Sequence, residues 1–157
     1  MKKIYMTFAL VGFLVFSSCQ SNDKQQSKNN EVMQETISSV NATSAQLDGI
    51  KKALDAYVEA AGKGDSNIAK PVFAKTATIS HVENDSLVSG PIQELFDYYD
   101  QTGPHHAEYT ITSAQVSDNV AVVSIDSKFG DAAFDDMFTL AKDGDEWKIV
   151  SKVFHVK

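Results

Sequence analysis

The chain has 157 residues with 14 basic and 21 acidic side chains, and all of the basic ones are lysines. The absence of arginine removes the planar group that nucleic-acid and phosphate sites most often use, and a net charge of −7 repels phosphate backbones. We therefore expect no nucleic-acid partner. A single cysteine excludes an internal disulfide and a cysteine-rich zinc site, and we expect neither a metal nor a cofactor.

The first 18 residues have the organisation of a secretory signal: two early lysines, a short apolar run and two serines before Cys19. The apolar run is shorter than the ~20 residues that cross a bilayer. The motif Phe16-Ser17-Ser18-Cys19 resembles the lipobox of bacterial lipoproteins. This resemblance implies cleavage before Cys19 and lipid on its sulfur. An ordinary cleaved signal peptide is the alternative.

Residues 19–45 are predicted to be the lipidated cysteine and a disordered tether. The tether is expected because the composition of this segment is too polar to fold. Without residues 1–18 the chain has 12 bases and 21 acids, a net charge of −9. Such acidity argues against adhesion to anionic lipid through basic residues, which leaves acyl chains as the membrane anchor. Residues 46–157 have the size of one domain. We expect this domain outside the cytoplasm, anchored to the bacterial cell envelope.

The first predicted helix begins with a capping box, since Thr43 and Gln46 have the required spacing. Apolar residues then follow helical period until Gly62 and Gly64, where the helix is expected to end. Asp65 is a favourable N-cap for a second, shorter helix.

One strand and a third helix are predicted next. The strand covers residues 76–82. The helix is expected to open at Gly90-Pro91 with proline as its first residue, because the missing proline N–H is not needed there. The pair Gly103-Pro104 is expected to end it.

Four long strands complete the predicted domain, over residues 105–116, 120–129, 132–141 and 146–156. In the first of these strands, Tyr109 and Ile111 indicate one inward face, whereas Ala114 and Val116 indicate the other. A bulge between the two pairs reconciles them.

Two-residue turns at 130–131 and 143–144 fix the register of the last three strands and give them one common apolar face. This register places Asp136 on the apolar face, opposite Ser151. It places Lys152 on the other face, where charged and apolar side chains are mixed. A mixed face suits partial burial, so we expect a homodimer through this outer face of the sheet.

The order of the elements predicts an α+β fold in which the helices cover one side of a curved sheet. Residues 46–156 resemble the nuclear transport factor 2-like superfamily, and the end of the chain is most similar to its branch described as putative lumazine-binding or SnoaL-like. The segments that carry the resemblance are 56–65, 72–74, 77–79 and 138–155. The resemblance implies a cone-shaped domain whose N-terminal helices pack on a curved antiparallel sheet and enclose an apolar pocket.

Asp136 is the leading candidate for chemistry, because a carboxylate on an apolar face is costly without a partner and burial raises its affinity for a proton. A hydrogen bond to Ser151 is the alternative. A specific similarity to ketosteroid isomerase implies that Tyr57 donates to an oxyanion, that Asp136 is a second acid, and that His81 stands where that enzyme has its carboxylate base. A core tyrosine and a histidine at the pocket rim are the alternatives.

The predicted function is the binding of a small, mostly apolar or aromatic molecule, oriented by Tyr57, His81 and Asp136. The rest of the predicted pocket wall consists of Phe73, Phe96, Ile125, Phe138, Ile149 and Ser151. Two alternatives remain: a proton-transfer enzyme, either an isomerase or a dehydratase with His81 as base, and a dimeric envelope scaffold without a ligand. We lean towards a protein that is not an enzyme.

Overall fold

The computed structural model describes residues 40–157, so the predicted signal segment, Cys19 and the tether as far as residue 39 lie outside the described residues. The predicted tether extends to residue 45, whereas a short strand forms at Val40–Asn41 and the first helix starts at Ser44. None of the helices in the described part is long and apolar enough to cross a membrane.

The described residues form three α-helices, one 3-10 turn and seven strands. In chain order these are β1 (Val40–Asn41), α1 (Ser44–Lys63), α2 (Ser66–Ala69), the 3-10 turn (Lys70–Val72), β2 (Phe73–Glu83), β3 (Ser86–Pro91), α3 (Gln93–Thr102), β4 (Ala107–Ser117), β5 (Val120–Phe129), β6 (Ala132–Asp143) and β7 (Glu146–Val156).

The strands form one open, curved sheet in the order β1-β4-β5-β6-β7-β2-β3. The pairs β1–β4 and β2–β7 are parallel, and the others are antiparallel. The helices pack against the sheet, which confirms the predicted α+β class. The last strand of the chain therefore lies inside the sheet, between β6 and β2.

Helix α1 has the predicted capping box. The Thr43 hydroxyl accepts from the Gln46 backbone N–H at 3.3 Å, and the Gln46 side chain accepts from the Thr43 N–H at 2.9 Å. The helix continues through Gly62 and ends at Gly64, which has the left-handed φ of 62° that favours glycine. A Cβ on Gly64 would lie only 2.4 Å from the backbone of Gly103, so the end of α1 packs directly on the end of α3.

The expected role of Pro91 is wrong. Pro91 ends strand β3, where it pairs with Thr78, and helix α3 begins only at Gln93, after Ile92. Because β3 is an edge strand, a residue without an N–H is tolerated there. Ile92 then donates its N–H to the carbonyl of Ala77 at 2.9 Å, which ties the start of α3 to β2.

The first predicted register is confirmed. In the hairpin of β5 and β6, Phe129 pairs with Ala132 and Ile125 pairs with Asp136. The bulge expected in β4 is also present, after Ile111.

The second predicted register is wrong. Its turn lies one residue later, since Asp143 pairs with Glu146, and a bulge then gives β7 one extra residue, Val150, opposite β6. Beyond the bulge, Asp136 faces Phe154 instead of Ser151. The side chains of β7 change sides at this point, and Lys152 turns from the expected outer face to the inner face.

Candidate functional site

A cavity of about 380 Å³ lies between helices α1 and α3 and the inner face of the sheet. This volume falls within the ~300–1,000 Å³ of small-molecule sites. It confirms that a hollow remains under the helices. Its wall consists of Tyr57, Ile79, His81, Val88, Glu94, Leu95, Tyr98, Tyr99, His105, Phe129, Ala132, Phe134, Lys152 and Phe154.

Aromatic rings form much of this wall and support one another. Tyr57 meets Phe129 nearly at right angles, with 5.7 Å between ring centroids. The ring centroid of Phe134 lies 5.7 Å from that of Phe129 and 5.9 Å from that of Phe154. Aromatic pairs at these centroid distances stabilise a fold beyond simple burial. The wall therefore offers rigid apolar surface to a ligand.

A buried hydrogen-bond network lies beside the cavity, centred on Asp136, which is 1% exposed. One carboxylate oxygen accepts from the Lys152 ammonium at 2.5 Å. The other accepts from the Ser127 hydroxyl at 2.6 Å and from the Tyr57 hydroxyl at 3.3 Å. The sequence left two expectations for Asp136, an acid that donates a hydrogen bond or a partner of Ser151, whereas the structure shows a hydrogen-bond acceptor paired with Lys152. Asp136 thus lies behind the cavity wall, and Tyr57 and Lys152 connect it to the cavity.

Lys152 is 4% exposed and is surrounded by aromatic rings. Its ammonium nitrogen lies 4.1 Å from the ring centroid of Phe154 and 5.8 Å from that of Tyr57. Burial lowers the pKa of Lys152 below its ordinary value, because the charged amine loses its water, while the neighbouring Asp136 opposes this change. The wall of an apolar cavity thus contains an amine whose charge is destabilised by burial.

Two tyrosine hydroxyls accompany this amine. Burial raises the pKa of Tyr57 well above its ordinary value, and Tyr99 and Asp136 add to the effect. Burial likewise raises the pKa of Tyr99. Both phenols therefore stay protonated near neutral pH. The Tyr99 hydroxyl is close enough to Tyr57 for the two to influence each other, but among residues 40–157 it has no hydrogen-bond partner at ordinary distance.

His81 lies in the cavity wall together with Tyr57, and its ring stacks on that of Phe154 with 4.8 Å between centroids. The structure thus brings two of the three predicted polar residues into one wall, with Asp136 one contact behind them. Within the described residues, no three His, Cys, Asp or Glu side chains are placed to hold a metal ion.

The other predicted wall residues lie elsewhere. Five of them belong to the buried core beside the cavity. Ser151 is partly exposed and directly follows the bulge residue Val150. The core residues are Phe73, Phe96, Ile125, Phe138 and Ile149. Their side chains take part in the apolar packing between the helices and the sheet, whereas the cavity has the different wall given above.

Lys152 is the main residue that sequence reasoning missed. Trp147 and Ile149 on β7 have one parity, whereas Phe154 has the other, and all three are large apolar side chains. The same conflict in β4 had indicated a bulge there. The parity conflict in β7 likewise indicates a bulge, and a bulge there turns Lys152 and Phe154 inward.

The model of the family described as "Putative lumazine-binding" matches residues 45–155. A curated relative, Aldolase FrzH from Cladobotryum sp, is 28% identical over 116 residues, which cover 72% of this chain and 93% of that protein. A crystal structure of a nuclear transport factor 2-like protein of unknown function from Shewanella baltica OS155 is 36% identical, with a TM-score of 0.68 over 74% of this chain and 98% of the other. A similar protein of unknown function from Methylobacillus flagellatus KT is 32% identical, also with a TM-score of 0.68, over 76% and 98%.

Proposed function

Because this chain belongs to the family described as putative lumazine-binding, within the nuclear transport factor 2-like superfamily, we propose that its cavity binds a small, mostly apolar or aromatic molecule. The observation that carries the proposal is the cavity itself: about 380 Å³ in volume, walled by aromatic rings and supplied with a few polar groups. Tyr57, His81 and Lys152 orient the ligand, and the rings of Phe129 and Phe154 cover its apolar surface.

Ligand capture tests this proposal. The protein is purified from its native cells and analysed by native mass spectrometry, where we expect a bound small molecule. Leu95→Trp places a large ring in the cavity wall and should abolish its retention. Leu87→Trp is the matched control, because Leu87 lies on the neighbouring strand β3 and is 75% exposed. Equal ligand content in both variants would contradict the proposal.

A second candidate function is proton transfer on a carbonyl compound in the same cavity, as in an aldolase, an isomerase or a dehydratase. The relative named Aldolase FrzH favours it, since the match covers 93% of that protein. So does the site, because His81 and Lys152 share one wall and histidine is the side chain most often used for proton transfer in enzymes.

Hydrogen exchange tests this second candidate. With 2-acetonaphthone in D₂O, NMR should detect protein-dependent exchange of the methyl protons next to the carbonyl. His81→Asn should lose this exchange, whereas His106→Asn, at an exposed histidine paired with Glu108, should keep it. Exchange that is unaffected by His81→Asn would remove the assigned role of His81 as the base.

We also propose that the protein is tethered to the membrane by lipid on Cys19 and that its domain lies outside the cytoplasm. Support comes from the lipobox-like motif and the polar segment between Cys19 and β1. Mass spectrometry should find acyl chains on the wild-type N-terminal peptide, and Cys19→Ala should release the protein from the membrane fraction. Unchanged membrane fractionation of this variant would contradict the tether.

We also propose that the outer face of the sheet pairs two copies of the domain. Val122 on β5, Met137 on β6 and Val153 on β7 lie on this face and are 53%, 49% and 40% exposed. Exposed apolar side chains on three adjacent strands are typical of a contact surface. Analytical ultracentrifugation should find a dimer, and Met137→Lys should give a monomer. A wild-type monomer at high concentration would contradict this pairing.

A further inference from the structure

We propose that Lys152 is a nucleophile that forms an imine with an aldehyde or ketone bound in the cavity. The inference rests on the proposed binding function and names the chemical class of the ligand. Its basis is a primary amine in the wall of an apolar, aromatic cavity, with a carboxylate held in place to exchange a proton with it.

Lys152 differs from the other paired lysines of the described part. Lys51, Lys63 and Lys157 form ion pairs at the surface, and their side chains are 40% to 61% exposed. Lys148 is partly covered and pairs with Glu146 on the same strand. Water stabilises the charge of each of these amines. At Lys152 burial disfavours the charged form, and only the neutral form of an amine attacks a carbonyl carbon.

Asp136 is placed to take up the proton that this reaction must first remove. The carboxylate oxygen that faces Lys152 lies 2.5 Å from its nitrogen. The hydroxyls of Ser127 and Tyr57 donate to the second oxygen and fix the orientation of the carboxylate. The proton acceptor is therefore in position before a ligand arrives.

The proposed reaction is a condensation that balances without an oxidant or a reductant. The Lys152 ammonium gives a proton to Asp136, and the neutral amine forms a C–N bond to the carbonyl carbon. One amine proton moves to the former carbonyl oxygen. The C–O bond then breaks, and this oxygen leaves as water with the proton returned from Asp136. The product is a protonated imine, so the total charge is unchanged.

Tyr99 provides a donor for the carbonyl oxygen. Its hydroxyl is buried, lies in the wall of the same cavity and lacks a hydrogen-bond partner among residues 40–157. A buried donor without an acceptor is costly, and the oxygen of a bound aldehyde or ketone can serve as that acceptor. A hydrogen bond from Tyr99 polarises the carbonyl towards attack by Lys152.

Reductive trapping tests the inference. The purified full chain is incubated with 2-naphthaldehyde and sodium cyanoborohydride, which reduces a protonated imine to a stable amine. Peptide mapping should locate one naphthylmethyl group per chain on Lys152 before any other lysine is modified. Lys152→Arg, which keeps a cation beside Asp136, should lose this label. Lys148→Arg on the same strand should keep it. The double variant Lys152→Met/Asp136→Asn removes both charges and should also lose the label.

A matched alcohol separates the imine from simple binding. The probe 2-naphthalenemethanol has the same ring system without a carbonyl, and both probes should raise the melting temperature of the protein. If both bind and Lys152 remains unmodified, the imine proposal is overturned while the binding proposal stands. If neither probe raises the melting temperature and no label forms, both proposals fail. Label spread evenly over exposed lysines would also overturn the role of Lys152.

Discussion

Helix α1 borders two unlike regions of the domain, a solid one and a hollow one. In the solid region, Leu54, Leu140 and Ile149 belong to one fully buried apolar cluster. Trp147 packs so closely on α1 that a Cβ on Gly49 would lie 2.6 Å from its indole ring. In the hollow region, by contrast, Tyr57 of the same helix lines the cavity together with α3 and the sheet.

Strand β7 runs through both regions, and its bulge lies at the boundary. Ile149, before the bulge, extends the apolar packing, whereas Lys152 and Phe154, after it, face the cavity. Flexible aliphatic side chains can fill the space under α1. Aromatic rings and a buried ion pair are more rigid, because their geometry is fixed by ring contacts and by hydrogen bonds. One extra residue in a strand therefore changes both the chemistry and the packing on either side of it.

The largest expected effect comes from breaking the ion pair of the hollow region. Asp136→Ala leaves the Lys152 charge buried without a partner and should lower the free energy of unfolding by about 3–5 kcal/mol. The double variant Asp136→Leu/Lys152→Met should recover much of this loss. Urea unfolding measures both. A loss as small as that of an exposed ion pair would mean that water reaches Lys152.

The next largest expected effect is a difference between the two regions in the stability lost when a leucine is truncated. Leu54→Ala removes a fully buried side chain from the solid region and should cost about 2–5 kcal/mol in urea unfolding. Leu95→Ala, in the cavity wall, should cost clearly less, because its side chain already borders empty space. Equal losses would show that the two regions are packed alike.

A smaller effect is expected at the start of α1, ahead of the solid region. Thr43→Ala removes the side-chain acceptor of the capping box and should lower the free energy of unfolding by about 1 kcal/mol. Thr43→Ser keeps the hydroxyl and is the matched control. Both are measured by thermal unfolding, and an unchanged stability in Thr43→Ala would mean that the capping box does not stabilise the domain.

The smallest expected effect is on stability in acid, through a contact between helices α3 and α2. Asp100 on α3 accepts from the backbone N–H of Ser66 at 2.9 Å and from its hydroxyl at 2.8 Å. These bonds lower the pKa of Asp100. Because the folded pKa lies below the unfolded one, the contribution is present above about pH 4 and is lost as the pH falls through the folded pKa.

Melting temperatures measured between pH 6 and pH 3 test this linkage. Asp100→Asn should lower the melting temperature at pH 6 and should flatten its fall in acid. Asp97→Asn, on the same helix, leaves the contacts of Ser66 intact and should keep the wild-type acid dependence. An unchanged slope in Asp100→Asn would contradict the assignment.

The sequence predicted the parts of the fold that depend on local signals. The capping box at Thr43, the end of α1 near Gly64 and the tight turn after Phe129 each involve residues close together in the chain. Strand β3 has no such signal, because its exposed residues show no burial alternation, and Pro91 after Gly90 is typical of a helix start although it ends this strand.

The candidate site was predicted only in part, because it depends on a register that spans the whole sheet. Tyr57 and His81 were identified through the similarity to ketosteroid isomerase, and both lie in the cavity wall. The partner of Asp136 was missed, since a regular strand places Ser151 opposite it and Lys152 outside. Non-local pairing of this kind shifts with a single extra residue, and local patterns alone do not fix it.

The position of β7 in the sheet has a consequence for when a ligand can be acquired. This strand is the last of the seven in the described part, yet it lies between β6 and β2 and contributes Lys152 and Phe154 to the cavity. Until β7 is inserted, the sheet consists of two fragments with a gap between them, and the site is not enclosed. A ligand can therefore be held only after this long-range strand pairing, a slow kind of folding step, is complete.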